Sequence, residues 1–348
     1  MSLRVAIAGY GVAARAHAEA YAAIEEFEIV AVFSPAPETE SPLIRAQLGS
    51  QVAVFDQYDE MLNAVNPDVV SICTMHDVHA EQAIKAAKAG AHIVLEKPFC
   101  TKEADLARLR HAVELAGVTV CAGFHEFHEG QFRAALDLVE QGALGALHLM
   151  EVDYLNGIGP WAPQFWWAKR RETGGSSLLV AGCHALQFLM LCKAGIEVTE
   201  VTSYANSTRS SEFADVEYDT TQISLMKFED GSIGKVTSCI DAQQPYTFRA
   251  TLVGSKGSLI DRRFSSPAPH GEGREKWTEI QARHLDDGDA ITGDMYQPMF
   301  RAFLDCISQG QPMRYSDFET TMKMHRVLFA ADKSAQTGRP VKISEIAC

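Results

Sequence analysis

The chain of 348 residues has little positive charge in one place, no paired cysteines and no long apolar run. Each absence excludes something. Lys and Arg number 31 against 45 Asp and Glu, a formal net charge of −14, with no extended basic stretch. A phosphate-backbone partner needs clustered cations, so nucleic acid is not expected. Eight cysteines stand at 73, 100, 121, 183, 192, 239, 306 and 348, none in a C-x-x-C pair. Most have apolar neighbours, as in Ile72-Cys73-Thr74, and read as buried reduced thiols of a cytoplasmic protein. No 18 consecutive residues are apolar, so no membrane partner is expected. The first residues enter a strand at once, which leaves no room for a signal peptide. Internal repeats and low-complexity segments are absent as well.

What is present is an ordinary globular balance, 47% hydrophobic and 22% charged. The length suits roughly two domains at the usual ~150 residues each. The first half alternates strands and helices. Arg4 to Ala8, Glu28 to Phe33, Asp68 to Cys73, Ile93 to Leu95 and Val118 to Ala122 read as five buried strands. Helices between them predict βαβ units and a parallel sheet. After the first strand comes Gly9-Tyr10-Gly11-Val12-Ala13-Ala14, a G-x-G-x-x-A turn that opens an Ala-rich helix. Gly9 allows the tight turn, Gly11 lets backbone approach a pyrophosphate, and the helix start offers N–H groups to phosphates. After the second strand an NAD site usually carries an acid for the ribose. Here Ser34-Pro35-Ala36-Pro37 follows, and the first acid is Glu38. Arg45 is the nearest cation in the segment that follows, so NAD and NADP both stay open.

The buried strand Ile93 to Leu95 stops at Glu96-Lys97-Pro98. Pro98 can offer no N–H to a ladder and holds Lys97 near extended backbone. A lysine is thereby fixed at the carboxyl end of a parallel strand, where open α/β sheets bind ligands. The plainer reading is a solvated lysine paired with Glu96.

The second half changes character. A helix from Gly130 to Gln141 precedes an alternating strand, Leu147 to Tyr154. Runs at Val198 to Ala205, Asp219 to Phe228, Ser232 to Ile240, Thr247 to Val253 and Gly257 to Ile260 look antiparallel. Asp230-Gly231 centres a hairpin turn, and Ser265 to Glu275 reads as an exposed loop. Helices are expected at Tyr296 to Ser308 and Asp317 to Thr337. The fold class expected is α/β. It combines a Rossmann dinucleotide domain at 1–122 with an α+β domain at 123–348, built on an open, mostly antiparallel sheet. The C-terminal helix is free to pack back on the first domain. One sheet face, with Ile223, Leu225, Val236 and Ile240, is expected to be uncovered and to make a homodimer or homotetramer.

Together these pieces resemble the Gfo/Idh/MocA oxidoreductases, the family of glucose–fructose oxidoreductase and inositol dehydrogenase. The resemblance rests on Gly9 to Ala14, Thr74 to His79, Glu96-Lys97-Pro98, Gly123-Phe124-His125, Gly142 to Gly145, and Gly174-Gly175 followed by Gly182-Cys183-His184. It implies hydride transfer between NAD or NADP and a secondary hydroxyl of a sugar, a cyclitol or a similar polyol. It also implies that Lys97 and His184 are catalytic, and that a cis peptide precedes Pro98. The cofactor is expected on Gly9, Tyr10, Gly11, Val12, Ala13, Ser34, Cys73, Thr74, His76, His79, Glu96, Lys97 and His125. Substrate is expected on Lys97, His125, Trp161, Trp166, Lys169, Val180 and His184.

The chain also departs from the family pattern. The family's acids four residues before the histidine and three after it are here Val180 and Gln187. Its arginine after the Gly-Phe pair is here Glu126. Another group must replace the lost Asp if the chain is a working dehydrogenase. The departures also admit a regulator that binds NAD(P) without turnover, or a redox-assisted glycosidase or epimerase that keeps its cofactor. His125, His128, His184 and Glu126 have metal-ligand chemistry, but their spacing is not that of a zincin, and no metal is expected.

Overall fold

A computed structural model of the chain describes residues 2–207, 210–267, 275–283 and 291–347. The chain divides into two compact units. One comprises Met1–His125 with Asp289–Glu319, and the other Glu126–Gly288 with Thr320–Cys348.

The first unit begins with β1 (Leu3–Ala8), α1 (Val12–Ala22), β2 (Phe27–Phe33), α2 (Pro37–Leu48), β3 (Ala53–Phe55) and α3 (Tyr58–Val65). It continues with β4 (Val69–Ile72), α4 (His79–Lys88), β5 (His92–Leu95), α5 (Ala104–Ala116) and β6 (Val120–Ala122). The six strands lie in the order β3-β2-β1-β4-β5-β6, all parallel. This is the doubly wound arrangement. Its strands read as continuous apolar runs because helices cover both faces. The chain leaves β1 in one direction and resumes at β4 in the other, so the switch point lies between these two strands. Two elements were not read from the sequence, the short edge strand β3 and helix α2. Pro37 stands at the first helical position of α2, where its missing N–H costs nothing.

The second unit holds α6 (Gly130–Glu140), β7 (Leu147–Leu155), α7 (Phe165–Ala168), α8 (Cys183–Cys192) and β8 (Val198–Asn206). β9 (Thr221–Phe228), β10 (Ile233–Cys239), β11 (Thr247–Gly254), β12 (Ser258–Ile260), β13 (Arg263–Ser265) and β14 (Thr278–Glu279) follow. A nine-stranded sheet runs β14-β13-β12-β11-β7-β10-β9-β8, with a final strand β15 (Val341–Lys342) beyond β8. All neighbours are antiparallel except β10 on β7. Gly231 turns the β9–β10 hairpin with φ +84°. The expected loop at 265–275 is different at its start, since Ser265 ends β13 and Ser266 is buried. Its residues 268–274 lie outside the described residues.

The register decides which sheet face is covered. Ile223 pairs with Thr237, whereas Val236 pairs with Ser224. Ile223 and Leu225 are exposed, together with Tyr204 and Ile233. Val236 and Ile240 are buried. They share the parity of Gly234 and Ser238 and face the helices, which corrects their expected place on the open face.

The chain then returns to the first unit as α9 (Gly293–Gln309). Its Met295, Tyr296, Met299, Phe300 and Phe303 join Ala16, Ala20, Tyr21 and Phe27 in one apolar core. Gly293 fits closely there, since a Cβ would meet Glu19 Cβ at 2.4 Å and Ala20 N at 2.8 Å. An unbroken second domain over 123–348 is therefore not what forms. The apolar spacing of α9 announces a buried face, but it does not say which sheet the face covers. The chain ends with α10 (Phe318–Thr337) and β15.

Candidate active site

In the first unit the site grows from the ends of three strands. Gly9 leaves β1 with φ +89°, and a Cβ on it would meet the carbonyl oxygen of Cys73 at 2.8 Å. Only glycine lets the turn after β1 pass this close to the turn after β4. Gly11 caps α1 with open space around its Cα, and no side chain caps that helix. An open, glycine-lined helix start of this kind suits a pyrophosphate. Val12 is exposed at the same place. Tyr10 is buried and donates its hydroxyl hydrogen to Gln47 at 2.6 Å. Burial, first of all, holds that hydroxyl at a pKa of about 12.

After β4, Thr74 Oγ1 donates to Gln82 at 2.6 Å. His79 places its two ring nitrogens against the carbonyl oxygens of Pro98 at 2.7 Å and Thr74 at 3.1 Å. Desolvation by burial lowers its pKa, and the two carbonyl contacts offset this only in part. The ring ties the turn after β4 to the turn after β5. His76 is buried beside it, with the ring centroids 5.5 Å apart.

Glu96 and Lys97 end β5, and the Lys97–Pro98 peptide is cis. The Glu96 carboxylate is buried, yet its pKa falls to about 2. Burial alone would raise it. His17, bonded at 3.1 Å, outweighs that through its hydrogen bond and its field, and Lys97 and His125 add to the effect. Tyr296 also donates to Glu96 at 3.1 Å, as does the Lys97 N–H at 3.2 Å. His17 is itself fixed by Ser71 at 2.7 Å and packs edge-on against Tyr296 and Phe300. Gly123 leaves the room this carboxylate needs, since a Cβ there would stand 2.7 Å from Glu96 Oε1. The His125 ring packs on Tyr296 at 4.4 Å.

In the second unit, the helix before His184 begins as a π-helical turn, Leu178–Gly182. Such turns recur at functional sites. Gly182 is pressed on Ser238, which a Cβ would meet at 2.5 Å. His184 follows on α8 and hydrogen-bonds through Nδ1 to Glu126 Oε1, both groups buried. The Tyr154 ring stacks on the imidazole at 5.2 Å and 9°. Val180 is buried in the π turn. Gln187 is buried and reaches Thr321 at 3.4 Å.

The comparisons with known proteins fit this geometry. A model described as an oxidoreductase family with an NAD-binding Rossmann fold matches residues 3–124. A model of the GFO/IDH/MocA C-terminal domain matches residues 132–260. The chain belongs to the GFO/IDH/MocA family. Among curated relatives it is 25% identical to myo-inositol 2-dehydrogenase of Thermotoga maritima, over 99% of both chains. It is likewise 25% identical to D-glucoside 3-dehydrogenase of Escherichia coli, over 98% of this chain and 97% of that one. Among solved structures, scyllo-inositol dehydrogenase of Lactobacillus casei with NAD(H) and scyllo-inositol superposes with a TM-score of 0.81. That match has 18% identity and covers 99% of this chain and 100% of the other, a likeness of fold.

For a GFO/IDH/MocA protein, the first unit holds what the sequence suggested: the glycine turn, the turn after β4 and Glu96-Lys97-Pro98. Glu96 is not Lys97's counter-ion in the plain sense first considered, because His17 and Tyr296 hold its carboxylate. Of the expected substrate residues Trp161, Trp166 and Lys169, the lysine is committed elsewhere, as is the neighbouring Arg170. Lys169 pairs with Asp215 at 3.3 Å and lies over the Phe165 ring, and Arg170 pairs with Glu217 at 2.7 Å. Trp161 and Trp166 are exposed, at 59% and 64%. No group of three or more metal-ligating side chains comes together among the described residues. No helix among them is long and apolar enough to cross a membrane. Sequence reasoning missed His17, Tyr154 and Tyr296, and did not pair Glu126 with His184. Only Glu126 carried a signal, an acid where the family has arginine.

Proposed function

We propose that this GFO/IDH/MocA protein moves a hydride between a nicotinamide cofactor and a secondary hydroxyl of a sugar, an inositol or a related polyol, or the corresponding ketone. The observation that carries this reading is the Glu126–His184 pair. It restores a carboxylate to the histidine although Val180 stands where the family keeps its acid. The relatives' names, inositol and glucoside dehydrogenases, support the substrate class.

The bound nicotinamide supplies the hydride acceptor or donor. The glycine turn and the start of α1 would hold its pyrophosphate, with the turns after β4 and β5 beside it. Lys97, in the first unit, offers an ammonium suited to stabilising an alkoxide that develops as hydride leaves carbon. His184 takes the hydroxyl proton. Glu126 accepts the hydrogen of Nδ1, which selects the tautomer with Nε2 as the proton-accepting nitrogen and stabilises the imidazolium that forms. Tyr154 fixes the ring plane by stacking. In the reductive direction the same groups return the proton. Trp161 and Trp166 present exposed aromatic faces on which a sugar ring can stack.

The open sheet face supports a further part of the proposal, a homodimer or homotetramer that covers Tyr204, Ile223, Leu225 and Ile233. Leu225→Glu should then lower the mass seen in light scattering, and a wild-type monomer at micromolar concentration would refute it. A cytoplasmic location fits the free cysteines. Recovery of the native protein from an oxidising compartment would refute that part.

The test of the main reading is absorbance at the reduced-nicotinamide band, with NAD or NADP and a panel of sugars, polyols and inositols. Growth with one substrate class is the expected result. A flat trace with cofactor binding confirmed by calorimetry would overturn it in favour of a regulator or an enzyme that retains its cofactor.

A further inference from the structure

We infer that Glu40 reads the cofactor's adenosine ribose from the end of β2, and that the chain therefore takes NAD in preference to NADP. The inference rests on the proposed function and names the cofactor form that function left open.

In a doubly wound sheet the residue at the end of β2 faces the ribose. An acid there accepts hydrogen bonds from the ribose hydroxyls, and its charge repels a 2′-phosphate. In this chain that place holds Ser34, which is fully buried, with its N–H bonded to the Phe55 carbonyl at 2.9 Å. The backbone then folds back on itself. Ser34 Oγ accepts the Ala36 N–H at 3.1 Å, and the Thr39 and Glu40 N–H groups close on the Ala36 carbonyl at 3.1 Å each. α2 thus starts within a few residues of the strand, and its first turn brings Glu40 back to the strand end. Ser34 Oγ donates to Glu40 Oε2 at 2.5 Å. The serine occupies one carboxylate oxygen and aims the group.

Glu40 is one of the groups whose field raises the Tyr10 hydroxyl pKa. Tyr10 lies between Gly9 and Gly11. The geometry sets the carboxylate at the end of β2, through its bond from Ser34. Glu38, also in the first turn of α2, adds negative charge, and the segment Ser34 to Glu40 contains no cation. A 2′-phosphate would need one. The cations nearest in this argument are Arg15, whose field reaches Tyr10, and Arg45 in the last turn of α2. They are the groups through which the inference would fail.

The test is calorimetric binding of NAD⁺ and of NADP⁺ to the full chain, which needs no turnover. Wild type should bind NAD⁺ about ten- to a hundredfold more tightly than NADP⁺, the worth of one charge-assisted hydrogen bond. Glu40→Ala should bring the two affinities within about threefold of each other in a variant that remains folded. If Glu40→Ala is unstable, Glu40→Gln keeps the volume and the bond from Ser34, and should narrow the ratio in the same direction. Equal or tighter binding of NADP⁺ by wild type would overturn the inference and leave the proposed function standing. So would an unchanged ratio in the folded Glu40 variants. Failure of wild type to bind either dinucleotide would overturn both.

Discussion

Each unit of this molecule contains a buried carboxylate against a histidine, and the two pairs do different things. In the first, His17 has both nitrogens engaged, by Ser71 and Glu96, inside a wall of Tyr296 and Phe300. It has no exposed surface. It holds Glu96, and Glu96 holds the backbone of Lys97. In the second, the carboxylate takes Nδ1 of His184 and an aromatic ring covers one face of the imidazole. The first pair is scaffolding for a lysine; the second is proposed as a proton carrier with its orienting acid. The same two functional groups serve as a brace or as a base according to how the ring is surrounded. The units also differ in how they keep to family pattern. The first has Ser34 where an acid is usual at the end of β2, whereas the second has Val180 on the stretch leading to His184 and meets that ring with Glu126 instead.

The comparison can be broken most readily at the lysine. Lys97→Ala should lower kcat about a thousandfold, the scale of losing a charge aimed at a developing oxyanion. Unchanged turnover would remove the first unit from the chemistry. Next come the second pair's members. Glu126→Gln and His184→Ala should each lower kcat about a hundredfold, and the double variant little further, because the two act as one group. Additive losses would separate them. His17→Leu sharpens the contrast from the other side. It strands a buried carboxylate, so it should cost about 3 kcal/mol of stability in a denaturant melt. A catalytic loss like that of Glu126→Gln with stability intact would show that the brace was misread.

A smaller effect separates two desolvated acids by pH. The Glu96 pKa is depressed to about 2, so the bond network stabilises the fold above the ordinary glutamate range and is lost as pH falls toward 2. Asp332, in the second unit, moves the other way, to about 6. Burial dominates there, and Ser176, Gln222 and Arg171 offset it only in part. Its contribution is therefore greatest below the ordinary aspartate range and is lost as pH rises through 6. Asp332→Asn should gain about 1–3 kcal/mol on wild type between pH 4 and pH 7, read from melts across that range. A gap that stays constant with pH would mean the acid is not desolvated as described.

Much of the fold was legible because its signals are local. The glycine turn, Glu96-Lys97-Pro98, the hairpin at Asp230-Gly231 and the alternation in the second sheet all lie within a few consecutive residues. What escaped was relational. Glu96 meets His17 and Tyr296, and Glu126 meets His184, only because topology brings distant segments together. Nothing in the Ala-rich helix marks His17 as a partner of the β5 end. The buried parity of Val236 and Ile240 needed the register with β9, since alternation tells which residues share a face but not which face is inside. Glu40 was passed over for a different reason. The sequence shows Glu38 as the first acid after the strand, whereas Pro37 sits where a helix accepts it and the first turn brings Glu40 back to Ser34.

The return of α9 has a consequence for the order of events on the ribosome. Residues 1–125 emerge early with the glycine turn, the sheet and Lys97 complete in sequence. They lack Met295, Tyr296, Met299, Phe300 and Phe303, which close the core over α1 and supply a bond to Glu96. At ~5–20 residues per second, those side chains arrive on the order of ten seconds or more later. Through that interval the nascent first unit shows an apolar helix face and a half-solvated glutamate, so the part of the protein translated first is among the last to be finished.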